Sequence, residues 1–190
     1  MQLKKLALTL TVATLFIGCT SQLPQEKEKQ SSKYLTQPII STPLKAAIEE
    51  LRVIKIKIED KNGFSEKEYG EDLDDLVSIV DKAYGNPTAL AAVKSALTGH
   101  QLARKFLQCN HIEGYEELFQ CRDQVLESVF IKYPDIAAQA RSVAEDKNLS
   151  YISAGLDEQS VLHAIWQKTG EDTEAALQVV NPEPNPNSLP

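Results

Sequence analysis

The chain of 190 residues is short of most of the parts from which active sites are built. Its histidines number three (His100, His111 and His163) and it has no G-x-S-x-G elbow, so nucleophilic catalysis has little to draw on. No glycine-rich phosphate loop occurs among its eight glycines, which removes the usual nucleotide-binding signatures. No apolar run reaches the roughly 20 residues that a membrane-spanning helix needs. Basic residues are outnumbered, 20 against 27 acidic, for a formal charge of −7. That balance opposes sequence-independent nucleic-acid binding, which rests on Lys and Arg neutralising phosphates.

What is present starts at the N-terminus. Met1-Gln2-Leu3-Lys4-Lys5 is a short, positively charged opening, followed by an apolar stretch from Leu6 to Ile17 broken only by Thr9, Thr11 and Thr14. That length suits the apolar region of a signal peptide. The stretch ends in Leu15-Phe16-Ile17-Gly18-Cys19, which resembles the lipobox of bacterial lipoproteins. Gly18 supplies the small residue before the cysteine, whereas Phe16 stands where Leu is commoner. The resemblance covers the first 19 residues. It implies a signal peptide over 1–18, cleavage before Cys19, and a thioether-linked diacylglycerol with an acylated amino group on Cys19. Two or three acyl chains hold far more firmly than one. Thr20 and Ser21 follow with no Asp after the cysteine, a pattern similar to that of lipoproteins sent to an outer membrane and facing the periplasm. The competing readings are an ordinary secretory signal with an incidental cysteine and a buried N-terminal helix.

Without residues 1–18, which include Lys4 and Lys5, 18 basic residues face 27 acidic ones and the formal charge becomes −9. Residues 19–41 are rich in Gln, Ser, Lys and Glu. They cannot bury enough apolar surface to offset ordering entropy, so a flexible lipid-anchored tether is expected. Residues 181–190 carry proline at alternating positions and are expected to form an extended, disordered tail. Residues 42–180 remain, enough for one core.

Periodicity and caps predict an all-α domain of five to six helices, packed as an antiparallel bundle because the loops are short. Thr42-Pro43 opens the first helix, with Leu44, Ile48, Leu51, Ile54 and Ile58 inward. Ile54, Ile56 and Ile58 also alternate as a half-buried strand would, but the upstream period favours helix. Asn62-Gly63 is expected to stop it, and Ser65-Glu66-Lys67-Glu68 is a capping box for a second stripe of Tyr69, Leu73, Leu76, Val80 and Ala83. Tyr84-Gly85-Asn86-Pro87 reads as a C-terminal glycine, a new cap and a first-turn proline. The third helix carries Leu90, Val93, Leu97, Leu102 and Phe106, with a kink expected at Gly99. A fourth over Gly114–Tyr133 is expected to face Tyr115, Leu118, Val125, Val129 and Phe130 inward. Pro134 opens a fifth with Ile136, Ala140 and Val143. Asp157 caps a sixth with Val161, Leu162, Ile165 and Trp166, and a separate short turn over Ala175–Val180 is expected to close the domain. Residues 51–84, with Gly63-Phe64-Ser65 and Glu68-Tyr69-Gly70 between amphipathic helices, resemble a helical module of unannotated bacterial, often cyanobacterial, proteins. That resemblance implies helix and brings no activity.

Cys109 and Cys121 form an even pair in an oxidising compartment, so a disulfide is expected, with reduced buried thiols as the alternative. A zinc site from His100, Cys109, His111 and Cys121 has suitable donors but lacks the short paired spacings of structural zinc. Asp60-Lys61-Asn62-Gly63-Phe64 resembles a calcium loop only until its register is tested, because Ile58 and Tyr69 fall on ligand positions. Glu127-Ser128 resembles the Glu-Ser of lytic transglycosylases, but the downstream Gly-Leu-Met-Gln element is missing. His163, beside Leu162, is expected to be partly buried. No catalytic residue, metal ligand or cofactor is assigned.

The expectation is therefore a lipid-anchored envelope protein, non-enzymatic, whose helical domain binds another protein in an accessory, assembly or inhibitor-type role. A groove lined by Tyr115, Phe119 and Trp166 is the expected docking site, and the acidic charge favours a basic partner. The alternatives are an envelope hydrolase with an unrecognised site and a structural or stress-related lipoprotein with no fixed partner.

Overall fold

A computed structural model of the chain describes residues 39–60, 65–147 and 149–181. Cys19, the expected signal peptide over 1–18, nearly all of the expected tether over 19–41, the expected stop at Asn62-Gly63 and the expected tail beyond Asn181 lie outside the described residues. Those residues form six α-helices and no strand: α1 (Thr42–Glu59), α2 (Glu66–Val80), α3 (Pro87–Gln108), α4 (Tyr115–Lys132), α5 (Pro134–Lys147) and α6 (Glu158–Val180). Single 3₁₀ turns lie at Cys109–His111 and Ile152–Gly155. None of these helices is long and apolar enough to cross a membrane.

The cap of α1 is Ser41, one residue before the expected Thr42. Its hydroxyl accepts from the Leu44 amide at 3.2 Å and from the Tyr84 amide at 3.1 Å. Leu44, Ala47, Ile48, Leu51 and Ile54 are buried on one face. Ile54 is 0% exposed and Ile56 52%, which decides for helix, since a strand would place both on the same side. Each fully buried Leu or Ile here stabilises the fold by about 2 kcal/mol relative to exposure. The capping box of α2 is complete: Ser65 Oγ accepts from the Glu68 amide at 3.2 Å, and Glu68 Oε2 accepts from the Ser65 amide at 2.9 Å. Asn86 caps α3 by accepting from the Thr88 and Ala89 amides, ahead of Pro87. Asp157 caps α6 by accepting from the Ser160 amide at 2.8 Å.

Three local expectations need correction. Gly85 does not terminate α2, which ends at Val80. It forms an isolated antiparallel bridge with Ile40, and at its φ of 125° a Cβ would lie 2.1 Å from the Ile39 carbonyl oxygen. Helix α3 continues through Gly99 to Gln108. A Cβ there would sit 2.2 Å from Thr169 Cγ2 and 2.3 Å from Tyr133 Oη, so the glycine lets α6 come close. Tyr115 is 73% exposed rather than inward, and Leu126 joins Val129 as the buried face of α4. Residues Ala175–Val180 do not make a separate turn but extend α6, in which Thr169 and Thr173 donate back to the Trp166 and Thr169 carbonyls and Ala176 is buried.

The most extensive helix–helix contact joins α3 and α6, which are remote in sequence. Ser95 meets Asp172, Gly99 meets Thr169 and Asn110 meets Glu158, so the two helices run antiparallel. Helices α1 and α2 are antiparallel as well, with Ser41 against Tyr84 at one end and Lys57 against Asp72 at the other.

Candidate functional site

Three helices each deliver one polar aromatic group to the interior. The helical phase that buries Leu73 and Leu76 on α2 also buries Tyr69, and α3 and α6 bring His100 and Trp166 to it. The Tyr69 hydroxyl lies 2.9 Å from His100 Nδ1 and 3.3 Å from the His100 carbonyl oxygen. Trp166 Nε1–H donates to the same hydroxyl at 3.1 Å. Both rings meet Tyr69 edge-on, with centroids 5.9 Å (His100) and 6.0 Å (Trp166) away. Burial lowers the His100 pKa to about 4 and pushes the Tyr69 phenol well above its ordinary value. The cluster is thus uncharged at neutral pH.

Beside this cluster a cavity of about 560 Å³ opens between α1, α3 and α6. Its walls include Ile58, Trp166 and Thr169, and His100 lines its inner side. Lys55, Glu59, Glu171 and Glu174 also line it, together with the exposed His163. Lys55 pairs with Glu59 at 3.0 Å and with Glu174 at 3.5 Å, and its ammonium pKa is raised first by the Glu59 hydrogen bond. His163 is therefore a solvent-facing side chain, not the partly buried one expected.

The cysteine pair lies just past the C-terminal end of α3. Cys109 and Cys121 are bonded, with an S–S distance of 2.03 Å and Cα atoms 5.8 Å apart. Next to Cys121, Arg122 is largely buried and pairs with Glu158 of α6, while donating to Asn110 between the two cysteines. Its guanidinium stands 5.4 Å from the Phe106 ring centroid and 6.0 Å from that of Phe119. Asp123 accepts from the Ile152 and Ser153 amides at 3.0 and 2.8 Å, fixing the second 3₁₀ turn to α4.

Of the three aromatic residues predicted to share a groove, two come together. Tyr115 and Phe119 meet edge-on at 4.6 Å, and Tyr151, which the sequence did not single out, stacks on Phe119 at 6.3 Å. Trp166 belongs instead to the Tyr69 cluster. No local pattern links Tyr151 to α4, because their contact depends on how the 150–156 segment folds back. The zinc donors are likewise dispersed: both cysteines are in the disulfide, His100 is bonded to Tyr69, and His111 faces Glu66 at 3.1 Å. Among the described residues no group of three or more His, Cys, Asp or Glu is placed to hold a metal ion. Glu127 is exposed on α4. Comparison of the chain with family models, curated proteins and solved structures finds no match.

Proposed function

We propose that this is a lipid-anchored envelope protein, attached through Cys19, whose helical domain docks a basic segment of another protein. The observation that carries the reading is the aromatic face of Tyr115, Phe119 and Tyr151. Tyr115 is 73% exposed, and the neighbouring Glu113, Glu116 and Glu117 are all exposed carboxylates. Tyrosines present large, stiff contact area at small entropic cost, and an acidic surround favours Lys and Arg on the partner. The disulfide and the Arg122 contacts hold the elements that carry this face, so the surface is preorganised before a partner arrives. The lipid anchor rests on the lipobox resemblance, and would keep the domain at an outer-membrane surface facing the periplasm. The hydrolase alternative has less to stand on, since Glu127 is exposed and Asp123 is committed to two backbone amides.

The test is affinity capture of the lipidated protein from envelopes beside Tyr115→Ala and Cys19→Ala versions, read by mass spectrometry. A stoichiometric partner that is lost with Tyr115→Ala and weakened by added salt supports the proposal. A partner retained equally by Tyr115→Ala and indifferent to salt removes the docking face. Recovery of Cys19→Ala in the membrane fraction removes the anchor.

A further inference from the structure

We propose that the cavity between α1, α3 and α6 is a binding site for a small hydroxylated aromatic amine. Its ring would lie against Trp166 and Ile58, its hydroxyl would meet His100 Nε2, and its ammonium would sit at Glu59 and Glu174. Nothing in this site is shared with the Tyr115 face, so the two proposals stand or fall separately.

Four observations carry the assignment. The volume, about 560 Å³, lies within the range of small-molecule pockets. His100 is 2% exposed, and its Nδ1 is taken by the Tyr69 hydroxyl. Its Nε2 has no hydrogen-bond partner among the described residues, yet it is not among the buried atoms left without one, so it opens onto the cavity that His100 lines. An imidazole nitrogen that opens onto this space from an almost fully buried ring, with no partner among the described residues, is a point where a ligand's polar atom can bond. A ligand hydroxyl suits it in either tautomer. If the Tyr69 O–H donates to Nδ1, Nε2 carries the proton and the hydroxyl accepts. If Nδ1–H donates to Tyr69, Nε2 is bare and the hydroxyl donates.

The charge of the lining sets the other end of the ligand. Among the described residues that line the cavity, Glu59, Glu171 and Glu174 face a single ammonium, Lys55, which contacts Glu59 and Glu174. Glu171 is additionally paired with Lys168 at 3.1 Å, leaving the excess of carboxylate charge on Glu59 and Glu174. A cation is therefore attracted and a carboxylate repelled. The indole face adds a cation–aromatic or ring-stacking contact for whichever part of the ligand lies over it.

The molecule carries its own reporter, because Trp166 is the only tryptophan in the chain. The experiment titrates the full chain with tyramine, neutral 4-ethylphenol and anionic 3-(4-hydroxyphenyl)propionate, following Trp166 emission. The expected result is a saturable change with tyramine at a Kd on the order of 0.1–1 mM, the strength of a modest small-ligand complex. 4-Ethylphenol should bind several-fold more weakly and the anion not measurably. Glu59→Gln combined with Glu174→Gln should weaken tyramine at least about threefold and leave 4-ethylphenol unchanged. Those carboxylates are on the surface, so the arm does not depend on a core variant folding. Tyr115→Ala should not alter the tyramine response. The proposal is overturned by the absence of a saturable response to tyramine, by equal binding of the anion, or by a double variant that binds tyramine as the parent does.

Discussion

Helix α3 buries nine of its 22 residues, whereas α4 buries two of its 18. Both pack against the same interior, but different forces hold them. Along α3 the spacing of Val93, Ala96, Leu97, Ala103 and Phe106 supplies a continuous apolar face, and Gly99 lets α6 approach until side chains touch backbone. Along α4 charged residues recur on nearly every turn, so Leu126 and Val129 provide little burial. The α4 end is held by specific links instead: the Cys109–Cys121 bond, Arg122 to Glu158 and Asn110, and Asp123 to the 152–153 amides. A helix poor in apolar groups can thus be placed accurately if a few strong contacts replace a broad weak one, and it keeps its outer face free for other uses.

The comparison can be broken first at the close-packed seam. Gly99→Val should destabilise the domain by about 3 kcal/mol, read by urea denaturation, because its Cβ would lie 2.2 Å from Thr169 Cγ2 and 2.3 Å from Tyr133 Oη, both on buried side chains. A nearly neutral result would mean that the α3–α6 approach is adjustable, and the contrast with α4 would lose its basis.

Acid should act on the same half of the molecule through His100. In the unfolded chain this group titrates near its ordinary 6.5 and in the folded one near 4. Between those values the unfolded state binds more protons, so stability falls as pH drops from about 6.5 toward 4 and is fully present above 6.5. The loss should be on the order of 3 kcal/mol, and His100→Gln should flatten the slope over that window. An unchanged slope would show that His100 is already charged, or not buried, in the folded state.

At the other end, Cys109→Ser with Cys121→Ser should cost roughly 2–3 kcal/mol, the loop-closure value for a cross-link spanning 12 positions. Hydrogen exchange should rise first in the first turns of α4 and in the Cys109–His111 turn, leaving α3 protected near Val93. Uniform loss of protection would mean that the two regions unfold as one. The smallest effect is expected at Tyr133→Phe. The phenol is one of two buried side-chain groups without a hydrogen-bond partner among the described residues. Its removal should change stability by less than about 1 kcal/mol, toward greater stability, since no bond is lost and a desolvated hydroxyl is relieved.

The same division explains how much was legible in the sequence. The helix starts were readable because their chemistry is local: Ser65 and Glu68, Asn86 and Pro87, and Asp157 and Ser160 each act across three residues or fewer. The inward faces of α1 and α2 were readable from period alone. The close approach at Gly99 was not legible because its partners, Tyr133 and Thr169, lie far along the chain. Tyr115 was misread because the stripe of α4 is too sparse to fix its phase, so an aromatic residue near the helix start was assigned inward by type. The candidate sites were least legible. The disulfide pairing followed from parity, but the groupings of Tyr69 with His100 and Trp166, and of Tyr151 with Phe119, exist only once four helices have met.

The clasp at the start of α1 has a mechanical consequence. Ser41 caps α1 and simultaneously accepts from Tyr84, while Ile40 bridges Gly85. Tension arriving from the N-terminal side of the chain therefore meets the corner between α2 and α3 before it reaches the first turn of α1. The load divides between two points far apart in sequence, and α1 cannot unwind from its end until the Ile40 and Ser41 contacts have let go. A domain hung from a membrane by its N-terminal side would sway on that joint while its helices stay folded.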